Sequence, residues 1–362
     1  MKNLYRACVI FLLGTVLFAG VFAGNEDRRG TSGAGSLRIN PWARSAGWGG
    51  VNTACGKGID ALFTNPAGLG RAEGTDVQYS YTNWLNGTGI GLNSLGISQA
   101  LGEEGGVLGL SVTAMGFGKI PVTRVHSPEP GNDATFTISL MNIGLSYARK
   151  FSESIYGGGS VKLISESTSN IHATGFALDA GVQYVTGDNY EIKFGIALRN
   201  WGTPMTYSGD GLSTIGTSEE SGAPSLSVQQ RSQNFELPSS LNIGISYDFL
   251  LGEEQLHRIT VAGNFAASAF GEDQYILGVE YGFSKYLMLR GGFVYERDLF
   301  KDVKEVDGAN TMMSGPTAGL SIMAPIGKDK DGNAFSNLAL DYAYRFTRML
   351  GGIHTIGLSL SL

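Results

Sequence analysis

The residues able to do chemistry are few and scattered. His126, His172, His257 and His354 stand far apart, without the short spacing that lets one element hold a metal. Asp329-Lys330-Asp331-Gly332-Asn333 is rich in oxygen ligands, but its glycine comes too early for a calcium loop and no Glu closes it, so it reads as a polar turn. Gly157-Gly158-Gly159 lies in a strand pattern rather than ahead of a helix, which disfavours a phosphate cradle. No serine stands in a G-x-S-x-G elbow. The expectation is a chain with no catalytic residues, no metal and no cofactor, whose work is binding or passage.

Composition narrows the class. Of 362 residues 54 are glycine, roughly twice ordinary usage, and only 16% are charged. The glycines follow no G-X-Y period, which excludes collagen. The net charge of −6, with Lys and Arg dispersed, leaves no footprint for nucleic acid. Two cysteines, Cys8 and Cys55, make no disulfide scaffold. A small packed residue is the role expected of Cys55.

Met1 to Ala23 reads as a secretory signal peptide. Lys2 and Arg6 supply a positive start, Val9 to Phe18 an apolar run, and Val21 and Ala23 the small residues that peptidase needs, with cleavage before Gly24. The run is short for a spanning anchor, and no other stretch approaches eighteen apolar residues. A membrane-spanning mature chain would therefore cross as a closed β-barrel, because hydrocarbon offers no partner to unpaired backbone groups.

Beyond Thr75 the sequence alternates with period two. Ile192, Phe194, Ile196 and Leu198 are interleaved with Lys193, Gly195, Ala197 and Arg199. Leu277, Val279, Tyr281 and Phe283 are interleaved with Gly278, Glu280 and Gly282. About fourteen such segments follow one another, at roughly 75–85, 89–100, 106–117, 137–151, 154–166, 172–186, 190–200, 239–249, 257–267, 274–283, 287–297, 314–323, 337–346 and 354–362. Their length suits tilted transmembrane strands better than the shorter strands of a soluble sandwich. The expected fold is an all-β, antiparallel, fourteen-stranded transmembrane barrel over 75–362. A secreted β-sandwich or soluble barrel is the alternative, since alternation alone does not separate them. With lipid on the apolar side, Lys193, Arg199, Asp248, Glu280, Arg290, Glu296 and Asp341 fall in the lumen.

Connections alternate in length. Most even ones are tight, although Gly327 to Ser336 is longer than the rule expects. Gly118 to Phe136, Trp201 to Pro238 and Asp298 to Met313 are long, as outer loops of such barrels are. An even strand count then puts both barrel termini on the periplasmic side of an outer membrane. The loop from Trp201 is the best candidate partner surface, for it holds Met205, Tyr207, Leu212, Ile215, Leu226 and Val228, more apolar content than a solvated loop needs. A lid over the barrel mouth is the alternative role. Gly118 to Phe136 is the second candidate, kept extended by Pro121, Pro128 and Pro130.

Residues 24–74 do not alternate. A fourteen-stranded barrel is too wide for its own side chains to fill, so this stretch is expected to be a hatch or plug. Trp42, Trp48, Phe63 and Leu69 argue against a solvated tail. Ile59 to Leu62 suits a short helical turn, halted by Asn65-Pro66. Asn40-Pro41-Trp42-Ala43-Arg44-Ser45-Ala46-Gly47-Trp48-Gly49-Gly50, with Asn65-Pro66-Ala67-Gly68-Leu69 after it, resembles the opening of the PorV/PorQ family of outer-membrane proteins, within the wider FadL-like barrels. The similarity extends through 102–112, 194–205 and 278–283.

The resemblance implies a hatch-plugged barrel in the outer membrane of a Bacteroidota-like bacterium, surrounded by outer-membrane lipid and exported by a Sec signal. It also implies a part in type IX protein secretion, with the translocon, cargo C-terminal signal domains or attachment-complex proteins as partners of the loops. The alternative function is a FadL-like channel for hydrophobic small molecules, with the hatch as gate.

Overall fold

The computed structural model describes residues 24–102, 105–123, 134–216, 226–252, 256–284, 286–297, 299, 313–328, 334–347 and 351–362. The leader 1–23, Asp329 to Asn333, Pro128, Pro130 and His126 lie outside these residues. Fourteen long strands form one closed barrel: β1 (Thr75–Trp84), β2 (Ile90–Ala100), β3 (Val107–Gly116), β4 (Ile138–Lys150), β5 (Ile155–Thr168), β6 (Ile171–Thr186) and β7 (Ile192–Gly202), then β8 (Ser240–Leu251), β9 (His257–Ser268), β10 (Gln274–Phe283), β11 (Leu287–Glu296), β12 (Gly315–Lys328), β13 (Ala334–Arg345) and β14 (Ile353–Ser361). Every strand pairs antiparallel with its neighbours in sequence. β1 closes the ring on β14, Val77 opposite Leu360 and Tyr81 opposite Ile356. Closure leaves no open sheet edge, so the backbone of the wall is paired strand to strand around the ring, with one irregularity at Leu178/Ala180.

The period-two pattern sorts side chains as the bilayer demands. On β7, Phe194, Ile196 and Leu198 are exposed outward, while Lys193, Ala197 and Arg199 are buried inward. The same division holds on β10, with Leu277 and Val279 outside and Glu280 inside, and on β13, with Leu340 and Tyr342 outside and Asp341 inside. Rings crowd both rims of the outer face: Phe151, Tyr190 and Tyr286 at one end, Trp201 and Phe346 at the other. Such aromatic girdles sit at the two membrane–water interfaces. The chain is a closed fourteen-stranded antiparallel β-barrel with an apolar outer face, and among the described residues no helix is long and apolar enough to cross a membrane.

The two ends differ. At the turn end, where β1 begins and β14 finishes, the connections are short, and the Thr75 and Leu362 backbones bond each other at 3.1 and 2.8 Å. β12 runs to Lys328 and β13 starts at Ala334, so that connection is shorter than the sequence suggests. The loop end carries the long connections, yet β5 and β6 are joined there by Ser169 and Asn170 alone.

Many glycines are accounted for by what fills the ring. A Cβ on Gly96 would meet Ile59 at 2.5 Å, on Gly278 Val51 at 2.7 Å, on Gly292 the Trp48 carbonyl at 2.5 Å, and on Gly319 the Gly47 Cα at 2.9 Å. Lumenal glycines are thus the seats on which residues 24–74 rest against the wall. The lipid face is equally constrained. Val279→Arg, half-exposed on β10, is expected to destabilise the barrel by about 2–4 kcal/mol if it lies near the bilayer midplane, read by urea titration of folding into lipid vesicles; an unchanged midpoint would contradict the assignment of that face to lipid.

Candidate functional site

The segment before β1 does not plug the barrel from one side; it runs through it. Gly24 N–H donates to Asp273 Oδ2 at 2.9 Å, and Asn25 N–H to the Ser268 carbonyl at 3.3 Å, both at the loop end between β9 and β10. Arg28 stacks on Phe270 at 4.3 Å and donates to Glu236 at 2.5 Å, while Arg29 pairs with Glu272. Gly74 lies beside Leu362 at the turn end. The barrel termini therefore share one end, as expected, but residue 24 sits at the other. Sequence reasoning missed this because alternation reports on strands, and nothing in 24–38 alternates.

Within the lumen the path is held by its own polar residues. Asn40 Oδ1 accepts from the Trp42 N–H at 3.2 Å, its Nδ2 donates to Ser45 Oγ at 2.7 Å, and Ser45 Oγ donates to Asn52 Oδ1 at 2.6 Å. Pro41 and extended Trp42 precede a single helical turn, Ala43–Ala46. Gly49 and Gly50 follow, both at φ +77, a reversal that a side chain would oppose. Trp42 is buried among Ile59, Leu62, Leu69 and Ala148; Trp48 is buried among Val51, Ala262, Ile276 and Val294. Arg44 bridges Asp60 and Asp341, at 3.4 Å each, and so ties the hatch to β13.

Asn65-Pro66 is a start as well as a stop. The expected turn over Ile59 to Leu62 appears as a 3-10 turn, Gly58–Ala61, and a second one, Pro66–Arg71, begins at once. Asn65 caps it: its Oδ1 accepts from the Ala67 N–H at 3.1 Å, with Pro66 at the first position, where no N–H is required. The Asn65 Nδ2 donates to the Thr53 carbonyl at 2.9 Å and to the Val182 carbonyl of β6 at 3.0 Å. A Cβ on Gly181 would overlap that side chain. Gln183 beside it donates to the Thr53 and Gly56 carbonyls at 3.1 Å. Ala67 and Leu69 are fully buried, and a Cβ on Gly68 would strike the Gly56 carbonyl. The motif stitches plug to wall near the β6–β7 bulge at Leu178/Ala180.

Around the turn end of the hatch the lumen is ionic. Lys193 pairs with Asp248, and Glu280 takes both Arg258, at 2.5 Å, and Arg290, at 2.6 Å. A cavity of about 230 Å³ lies there, lined by these groups with Arg44, Lys57, Arg71 and Cys55. Toward the loop end a smaller cavity, about 40 Å³, is lined by Leu37, Ile39, Trp42, Leu62 and Phe63 with Ser111, Asn142 and Lys162.

The long loop between β7 and β8 splits the candidate partner residues. Met205 is completely buried, packed on Ala34, Leu37, Ile164, Ala173 and Leu237. It belongs to the seal between loop and hatch and is not a contact surface. Tyr207 packs beside it and donates to Glu166 Oε2 at 2.5 Å; burial, with that carboxylate close by, raises the Tyr207 phenol above its ordinary range. Leu212 is half-buried. Ser213–Gly216 and Leu226–Gln229 form a small hairpin on which Ile215 is 77% and Val228 51% exposed. The side-chain surroundings of Leu226 lie outside the described residues. The lid and the exposed surface are thus two parts of one loop. Of the histidines, His257 and His354 each face a tyrosine hydroxyl at 2.8 Å, Tyr281 and Tyr342.

No protein-family model matches the chain, and no curated protein does. Solved structures do. The Pseudomonas putida toluene transporter TodX is 13% identical with a TM-score of 0.55, over 89% of this chain and 98% of that one. The CymD monoaromatic hydrocarbon channel is 15% identical with a TM-score of 0.51, over 88% and 96%. A Pseudomonas aeruginosa FadL homologue follows at 12% and 0.48. The chain shares the barrel fold of TodX and CymD, and these likenesses do not single out PorV or PorQ.

Asn65→Ala removes the cap and the wall contact together. The expected loss is about 1–3 kcal/mol, from the stranded carbonyls and the missing cap. Hydrogen exchange at Ala67 and its neighbours should accelerate while the barrel strands stay protected; exchange that rises uniformly over barrel and hatch would show that Asn65 holds no separate unit.

Proposed function

We propose that the protein is an outer-membrane channel for small apolar molecules, shut at rest by its own N-terminal segment. One observation carries the reading: residues 24–74 occupy the lumen and are held to the wall only by non-covalent contacts, as at Asn65 and Arg44, so a passage would open where they moved aside. The fold likeness to a toluene transporter and a monoaromatic hydrocarbon channel supports it. So does the apolar lining that Leu37, Ile39, Trp42, Leu62 and Phe63 give to the loop-end side of the hatch. In this reading the loop end faces outward, the turn end faces the periplasm, and the leader is removed before Gly24.

A second reading is favoured by other observations. The 40–50 and 65–69 motifs resemble those of type IX secretion barrels, and the hairpin Ser213–Gly216/Leu226–Gln229 turns Ile215 and Val228 outward, where a partner could bury them. There the barrel stays shut, and its loops hold cargo signal domains, translocon or attachment-complex proteins.

A deletion strain separates the two. The channel reading expects slower uptake of a labelled monoaromatic solute with normal export of signal-bearing proteins; periplasmic accumulation of those proteins with normal uptake would overturn it in favour of the second. Replacing 209–232 by a short Gly-Ser link should leave the barrel inserted and, in the second reading, abolish partner capture. Orientation is tested separately. Gly30 is exposed at the loop end, and a Cβ there meets nothing within 4 Å. An epitope inserted at Gly30 should be stained by antibody on intact cells; staining only after permeabilisation would reverse the orientation.

A further inference from the structure

A cleft at the loop end of the lumen is lined by positive charge that the described residues of the barrel do not neutralise. It holds about 80 Å³ between the hatch residues Arg38, Asn40 and Phe63 and the wall residues Arg199, Asn242 and Arg345. Three guanidiniums line it against one carboxylate, Glu272, which Arg29 engages.

Arg199 and Arg345 are each only 8% exposed. Among the described residues neither makes an ion pair. A guanidinium carries five N–H donors. Those of Arg199 find a single acceptor, the Leu37 carbonyl at a long 3.5 Å, while the Phe63 ring stacks on the guanidinium at 3.9 Å; its Nε is buried without a partner. Arg345 reaches the Met313 sulfur, a weak acceptor, and its Nε is likewise unpartnered. The carboxylate whose field reaches Arg199, Asp179, is held by Lys162 and by the Asn200 N–H at 2.7 Å. Arg38 is near enough for its charge to act on Arg199, and it too has no ion pair among the described residues. Burying a cation without a counter-charge is costly, and here two buried cations face one cleft.

We propose that this cleft binds a small oxyanion, of the inorganic phosphate or sulfate class, between Arg38 and Arg199. Stacking on Phe63 leaves the in-plane N–H fork of Arg199 for a planar or tetrahedral oxyanion. Ser240 stands directly opposite Arg199 across the β7–β8 ladder, and Asn242 is the next lumenal position, so further donors lie alongside. The cleft holds about 80 Å³, room for a small tetrahedral anion. Arg345, on β13 across the lumen, strengthens the field without touching the ion. The site lies inside the ring, away from lipid, so its ligand is a free solute. The bound anion would join a hatch residue to a wall residue, whichever molecule the protein serves.

Isothermal titration calorimetry of the full chain in detergent tests this, with sodium phosphate or sulfate added at constant ionic strength in chloride. Saturable one-site binding is expected. Arg199→Met and Arg38→Met should each weaken it about tenfold or more, the loss of charge-assisted hydrogen bonds, and Arg345→Met by only about two- to threefold. Arg38 is half-buried and hydrogen-bonds nothing among the described residues, so its replacement keeps the test open should Arg199→Met fail to fold. Heats no larger than those of added chloride, or unaltered binding in Arg38→Met, would overturn the proposal.

Discussion

A ring of fourteen strands solves one problem and creates another. Closure pairs the backbone of the wall strand to strand with no open edge, the condition for crossing hydrocarbon. It also encloses a space that wall side chains alone do not fill. The rest of the molecule answers that space. Inward-facing positions are small where the hatch touches them, as at Gly96, Gly278, Gly292 and Gly319. They are charged where the hatch leaves room, as at Lys193, Glu280 and Arg290. The glycine excess and the low share of charged residues are two views of one constraint.

The seal is polar in its detail. Asn40, Ser45 and Asn52 form a relay within the hatch, Arg44 joins Asp60 to Asp341, and Asn65 with Gln183 bonds hatch to wall. Removing one partner from such a network leaves others unsatisfied, so its parts are worth more together than singly. A plug held in this way is ordered and still separable, the property a gate needs.

Much of this was legible in the sequence. Period-two alternation placed all fourteen strands and put Lys193, Arg199, Asp248, Glu280, Arg290, Glu296 and Asp341 on the lumenal side, because a one-residue slip would expose a charge to lipid. The motifs 40–50 and 65–69 marked the hatch. Asn65-Pro66 read as a stop; it also starts a second turn, since Asn caps and Pro suits a first position, two signals that coincide at one dipeptide. The course of residues 24–38 was not legible: those contacts, Arg28 to Glu236 and Arg29 to Glu272, join positions more than two hundred residues apart. Nor was the burial of Met205, which depends on a loop folding back over the lumen.

In the proposed reading residues 24–74, and not the wall, close the ring. Conductance in planar lipid bilayers addresses it directly. The intact chain should be electrically silent, and a refolded chain lacking residues 24–72 should carry steady open-pore current. Equal conductance from the two would mean that the ring shuts itself, and that the threaded segment is packing without a gate's role.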